Sequence, residues 1–360
     1  MIPRFAAILA LCVVGACSNA ERASSSDSVQ GGVRGVRVDL TGAGATFPYP
    51  LYSRWFNDYA QRTNVRINYQ SIGSGAGIRQ LSEGTVDFGA TDVPMTDAEL
   101  AQHKTPIYHI PTVLGAVAIT YNLPGLSRPL RLSGPLLANI FRGKVTRWNA
   151  PEIAELNPGV PLPASDILVV HRADGSGTSY IFSDYLSSVS AEWAGNPGRG
   201  KDVRWPVGIG GRGNEGVAGQ VKQMVGAIGY VEVVYARQNY LPVAHLQNKS
   251  GRFISPMPYE IARAAATTMT GDTTAKDLRV SLVNADDAQA YPITSLTWML
   301  LDPVRIGPQK TEQLINFLRW ALNDGAEVSG RLGYTALPSV AVARVLEVLD
   351  TLSTAPRTRQ

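Results

Sequence analysis

Three short segments of this 360-residue chain repeat one arrangement: an apolar strand-like run, a turn of glycines and hydroxyls, then a helix start. They are Gly42-Ala-Gly-Ala-Thr46-Phe47, Gly73-Ser74-Gly75 and Gly175-Ser176-Gly177-Thr178. Such repetition leaves few architectures, because a helix that returns the chain to a neighbouring strand produces a parallel pairing. The turns also carry chemistry. A helix start leaves about four backbone N–H groups without internal partners and holds about half a positive charge. Small residues let an anion approach those donors closely. In open α/β sheets, ligands bind at the carboxyl ends of strands, where these helix starts point.

The third segment is the most specific. Arg172-Ala-Asp174-Gly175-Ser176-Gly177-Thr178-Ser179 precedes the apolar run Tyr180 to Leu186. A guanidinium offers a planar fork that matches two oxygens of a tetrahedral oxyanion. The stretch reads as a seat for phosphate or a similar anion. Asp174 either orients Arg172 or caps the next helix. Thr46, Ser74 and Thr178 offer hydroxyls, and Pro48 in a first helical turn leaves the Phe47 N–H beside Thr46 as a donor. Asp92 closes the strand pattern that runs from Val86 to Thr91. An ionised carboxylate only accepts, so at an anion site it selects an oxyanion that still carries a proton. Phosphate does so near neutral pH and sulfate does not. The bland alternative is a solvent-facing loop aspartate.

Elsewhere strand and helix patterns alternate. Leu51, Trp55 and Tyr59 at four-residue spacing predict a helix, and Val65 to Tyr69 alternates as a strand. Gly73 to Gly77 reads as a loop before a helix with Ile78 and Leu81, and Thr96 to Glu99 reads as a capping box. A second series spans Thr112 to Ala290, with strands at Ile167 to Val170 and Ile228 to Tyr235 and a loop over Gly208 to Gly216. An apolar strand, Leu296 to Leu301, and helices over Thr311 to Leu322 and Ser339 to Leu352 complete the pattern. The expectation is α/β with a largely parallel sheet, in two lobes joined by crossover strands.

Composition excludes several classes. Apolar content of 44% and charge of 17% describe a globular protein, and the length allows two domains with their own cores. A net charge of +4 without any Lys/Arg run gives no nucleic-acid footprint. Phe5 to Ala16 is apolar but too short to span a bilayer, and Val14-Gly-Ala-Cys17 resembles a bacterial lipobox. Residues 1–17 then form a lipoprotein signal peptide with Cys17 lipidated, and 18–37 a flexible tether; the plain alternative is a secretory signal cut elsewhere. Cys12 and Cys17 are the only cysteines, so the body has no disulfide, zinc thiolate site or Cys nucleophile. The four histidines lack metal-ligand spacing, and no metal or cofactor is expected. Gly208-Ile-Gly-Gly-Arg-Gly213 matches G-x-G-x-x-G but lacks an acidic residue at the right distance, which argues against NAD. No G-x-S-x-G elbow supports a hydrolase.

Seven motifs, in order, resemble the periplasmic phosphate-binding protein (PstS) family of high-affinity phosphate ABC importers. They are Leu40–Pro48, Tyr69–Ser74, Thr85–Asp92, Arg172–Ser179, Trp205–Gly211, Gly226–Glu232 and Tyr291–Thr294. The resemblance implies a two-lobed, hinge-closing type II binding-protein fold with the ligand in the interlobe cleft. Lobe 1 would comprise 38–111 and 291–360, and lobe 2 would comprise 112–290. It implies phosphate ligands Thr46, Phe47, Ser74, Asp92, Arg172, Ser176, Gly177 and Thr178, with Asp174 holding Arg172. Where the family often has a second Ser after Ser74, this chain has Gly75. The implied protein is a non-enzymatic monomer in the periplasm or at the cell surface, lipid-anchored through Cys17. It would deliver phosphate to the permease subunits and ATPase of an ABC importer. A phosphate sensor, a surface adhesin or, more remotely, a phosphatase are the alternatives.

Overall fold

A computed structural model describes residues 37–269 and 277–354. The leader with Cys17, residues 18–36 of the expected tether and the tail beyond Thr354 lie outside the described residues. The first βα units are β1 (Val38–Gly44), α1 (Tyr49–Arg62), β2 (Val65–Ser71), α2 (Ser74–Glu83), β3 (Phe88–Thr91) and the short α3 (Asp97–Leu100). A long strand, β4 (Tyr108–Tyr121), leads to β5 (Arg131–Leu132), α4 (Gly134–Phe141) and α5 (Pro151–Leu156). Next come β6 (Leu168–Arg172), α6 (Gly177–Val189), α7 (Ala191–Gly195), β7 (Ile209–Gly211), α8 (Gly213–Gln223), β8 (Ala227–Glu232) and α9 (Val233–Gln238). Then follow β9 (His245–Gln247), β10 (Phe253–Ile254), α10 (Pro258–Met269), β11 (Thr294–Leu301), α11 (Pro303–Leu322), α12 (Ala326–Leu332) and α13 (Ser339–Thr354).

Eight strands form one sheet in the order β2-β1-β3-β11-β4-β8-β6-β7, and β10-β9-β5 form a small second sheet. The expectation of a largely parallel sheet needs correction. Parallel pairings occupy the two ends, β2-β1-β3 and β8-β6-β7, where helices carry the chain between strands. The three central pairings, β3 with β11, β11 with β4 and β4 with β8, are antiparallel. Strand β4 spans both ends: residues 108–116 pair with β11 and residues 117–121 with β8. It is buried on both faces over nearly its whole length, which is why it reads as an unbroken apolar run.

Local chemistry explains most element boundaries. Helix α1 buries Leu51, Tyr52, Trp55, Phe56 and Tyr59, and their rings pack on Phe317 and Trp320 of α11. Each such ring contributes about 1.5–3 kcal/mol on leaving water. Pro48 sits just ahead of α1, one position earlier than expected, and Pro50 occupies the first turn. The predicted capping box is present: Thr96 Oγ1 accepts from the Glu99 N–H and Glu99 accepts from the Thr96 N–H. Three segments differ from expectation. Ser74 to Gly77 is the first turn of α2 and not a loop, and only Ile72 and Gly73 connect it to β2. The Gly208 to Gly216 segment contains β7 and the start of α8. The strand expected to reach Tyr235 ends at Glu232, whose carboxylate caps α9 by accepting from the Val234 N–H at 2.7 Å.

Candidate functional site

The ends of β1, β3 and β6 and the starts of α1, α2, α6 and α8 converge. At β6 the chain leaves the sheet at Arg172 and enters α6 at Gly177. Ser176 caps that helix, its Oγ accepting from the Ser179 N–H at 3.0 Å, so its hydroxyl has a structural task as well as a proton to donate. Among the described residues, nothing accepts from the N–H groups of Gly177, Thr178 or Phe47. The Thr46–Phe47 peptide is held from behind: its carbonyl accepts from the Tyr235 hydroxyl at 2.6 Å. A trans peptide therefore turns the Phe47 N–H the opposite way.

Arg172 is 3% exposed and its guanidinium is already half engaged. Nε and Nη2 donate to the two oxygens of Asp174 at 2.8 and 2.5 Å, and Nη1 donates to Thr178 Oγ1 at 3.2 Å. Asp174 also accepts from the Gly213 N–H at 3.0 Å. Burial works against the charge of Arg172, but the Asp174 carboxylate outweighs it and holds the guanidinium above its ordinary pKa. Burial likewise pushes Asp174 up, yet Arg172 and the Gly213 N–H keep it below the usual carboxylate range. Of the two orienting or capping roles open to Asp174, the structure places it on Arg172. The Nη1/Nη2 edge is the one left for an anion.

Asp92 is 2% exposed. Its Oδ1 accepts from the Thr297 hydroxyl at 2.8 Å, and Oδ2 lies 3.4 Å from the Ser74 hydroxyl. Burial pushes its pKa up to about 7, against the lowering effects of Thr297, Arg172 and Ser74. The solvent-facing alternative for Asp92 is therefore excluded. Thr297 reaches it from β11 beside a bulge, where Pro111 of β4 has no N–H to give the ladder.

The eight predicted residues come together from both ends of the sheet. A Cβ on Gly177 would stand 2.4 Å from Ser74 Oγ and 2.7 Å from Asp92 Cβ. Thr46 Oγ1 accepts from Asn214 Nδ2 at 2.8 Å, and the same nitrogen lies 3.2 Å from Thr178 Oγ1. At the rim, the Gly75 N–H donates to the Gly175 carbonyl at 2.9 Å. A side chain at position 75 would press on the Gly175 backbone at 3.2 Å, which gives this chain's glycine a packing reason. Lys201 Nζ meets Glu99 Oε1 at 2.6 Å beside this contact. Just outside lies a cavity of about 530 Å³, lined by Ala76, Arg79, Lys201, Asp202 and Arg212 among others.

Four participants were missed in the sequence: Asn214, Thr297, Tyr230 and Tyr235. Asn214 directly follows the Gly208–Gly213 stretch weighed for dinucleotides, and Thr297 lies in a strand read only as core. The Tyr230 hydroxyl accepts from the Arg172 N–H at 3.0 Å, and nothing in its apolar strand context signalled that. The histidines stay outside the site; His109 Nε2 accepts from the Met95 N–H, and His171 stacks on Trp205. No group of His, Cys, Asp and Glu able to hold a metal occurs among the described residues.

Residues 19–324 match the model of the PBP superfamily domain. The phosphate-binding protein PstS of Pasteurella multocida is 43% identical over 307 residues, covering 85% of this chain and 88% of that protein. The phosphate-binding protein PstS of Methanocaldococcus jannaschii is 37% identical over 319 residues, covering 82% and 81%. Among solved structures, a high affinity periplasmic phosphate-binding protein (PfluDING) bound with phosphate shares the fold. It has a TM-score of 0.68 at 22% identity and covers 87% of this chain and 94% of its own. The two-lobed periplasmic binding protein fold is thus that of this chain, which belongs to the PBP superfamily and, within it, to the PstS family.

Proposed function

We propose that this chain binds inorganic phosphate in the periplasm and delivers it to an ABC permease for import. The observation that carries the reading is the pairing of one buried acceptor with a shell of donors. Asp92 lies against Ser74 and Gly177 and within electrostatic reach of Arg172; in this reading the Phe47, Gly177 and Thr178 N–H groups and the hydroxyls of Thr46, Ser176 and Thr178 complete the shell. A monohydrogen phosphate needs that combination: acceptor oxygens on most sides and one O–H that must donate. The names of the relatives, phosphate-binding proteins, support the same ligand.

The lobes of the working mechanism are 38–111 with 291–360, and 112–290, meeting along β4 and β11. Phosphate contacts from both lobes favour the closed arrangement, a population shift driven by differential affinity. In this reading the role is binding without catalysis, as the relatives' description as phosphate-binding proteins supports. Cys17 carries the lipid that anchors a monomeric receptor, with 18–37 as its tether. Calorimetric titration of Arg172→Ala tests the seat: phosphate affinity falls at least 100-fold, as expected on losing charge-assisted hydrogen bonds of about 1.5–3 kcal/mol each. Undiminished binding refutes it.

A further inference from the structure

Asn214 is the second residue of α8 and fully buried. Its Oδ1 accepts from the Glu232 backbone N–H at 2.8 Å. A backbone N–H can only donate, so this bond fixes which end of the amide is oxygen. The NH2 end must then face the other way, toward Thr46 Oγ1 at 2.8 Å and Thr178 Oγ1 at 3.2 Å. Two amide hydrogens meet two hydroxyl oxygens, one from each end of the sheet.

Each hydroxyl has two lone pairs and one proton. Thr46 Oγ1 takes the Asn214 Nδ2–H and lies 3.3 Å from the Asn214 backbone N–H. Thr178 Oγ1 takes the Asn214 Nδ2–H and the Arg172 Nη1–H. With both oxygens filled from behind, their protons have one remaining direction, which is into the cleft. The backbone of α8 is itself tied to the seat, because Asp174 accepts from the Gly213 N–H while it holds Arg172.

We infer that Asn214 is a positioning residue that sets the polarity of the anion seat, making Thr46 and Thr178 obligate donors. It acts through the two hydroxyls and touches no ligand itself. It rejects ligands that would need those hydroxyls as acceptors, and it links the two lobes through one amide. The inference rests on the phosphate reading of the site.

Asn214→Asp keeps the shape and removes both donors. The two hydroxyls then turn their protons onto the new carboxylate and offer lone pairs to the anion. Phosphate affinity by calorimetry is expected to fall at least 100-fold, with Asn214→Leu falling about 10-fold as the hydroxyls are merely freed. The decisive readout is a double-mutant cycle, which a purely structural role would not move. On a Thr178→Val background, Asn214→Leu is expected to weaken binding less than threefold. Equal weakening by Asn214→Leu on both backgrounds overturns the inference, as does undiminished binding by Asn214→Asp. Should Asn214→Asp not fold, the Leu cycle alone decides. An unaltered chain that binds no phosphate overturns the functional reading and this inference with it; an unaltered chain that binds while Asn214→Asp binds equally overturns this inference alone.

Discussion

Replacing Asp92 by Asn should stabilise the protein stripped of anion, and more so as pH rises. The folded-state pKa of Asp92 is about 7 against an ordinary 3.8. A displacement from 3.8 to about 7 corresponds, at about 1.4 kcal/mol per pH unit, to on the order of 4 kcal/mol. The folded state therefore holds its proton where the unfolded chain has lost it. Below 3.8 both states are protonated and the carboxyl costs nothing. Between 3.8 and about 7 the folded state binds more protons, so stability falls as pH rises. Above about 7 the full penalty persists. Asn has no such penalty and keeps an oxygen for the Thr297 hydroxyl. Its advantage over Asp is expected to grow by roughly 2–3 kcal/mol between pH 5 and pH 8. Urea unfolding of both proteins at the two pH values measures this, and all other titrating groups cancel in the comparison. A constant difference between them, or an Asn variant that loses ground at pH 8, refutes the idea that burial dominates this carboxyl. The same substitution should narrow the preference for phosphate over sulfate, because an amide donates to either anion.

Other perturbations read other parts of the site. Gly177→Ala places a methyl against Ser74 and Asp92; overpacking of about 1–3 kcal/mol should weaken phosphate binding roughly 5- to 100-fold, and normal affinity would contradict the close approach. Asp174→Ala leaves the buried Arg172 without its partner and should lower stability by about 3–5 kcal/mol, with saturating phosphate restoring part of it in thermal melts. A melting shift that phosphate does not recover would mean Arg172 does not face the ligand. Glu99→Gln breaks a partly buried ion pair worth about 0.2–1 kcal/mol, so stopped-flow release of phosphate should speed up at most about fivefold and lose part of its salt dependence. An unchanged release rate would remove Lys201–Glu99 from the closed state.

How much of this was legible depends on where each signal lives. The strand–helix junction with its Arg172–Asp174 pair was readable because its elements are local: Arg172, Asp174, Ser176 and Thr178 sit within seven consecutive residues. Helix α1 was readable because one face meets water and the other meets Phe317 and Trp320. The mixed sheet was not, because β4 and β11 are buried on both faces and lose the alternation that reveals a strand's partners. The glycines of α2 misled in the opposite direction. A Cβ on Gly77 would stand 2.4 Å from Gly44 Cα, so glycine serves close helix–strand packing there and its poor helix propensity is overridden. Gly73, at φ 93°, is where the turn proper lies. Asn214 and Thr297 escaped notice because their partners are 168 and 205 residues away in the chain.

Calorimetric titration of residues 37–360, stripped of bound anion, with phosphate at pH 8 in excess sulfate decides whether Asp92 selects a protonated oxyanion. At that pH Asp92 is ionised and phosphate still carries one proton. Tight one-to-one binding that sulfate leaves unchanged is expected. Full competition by sulfate, or no binding of phosphate at all, would contradict it.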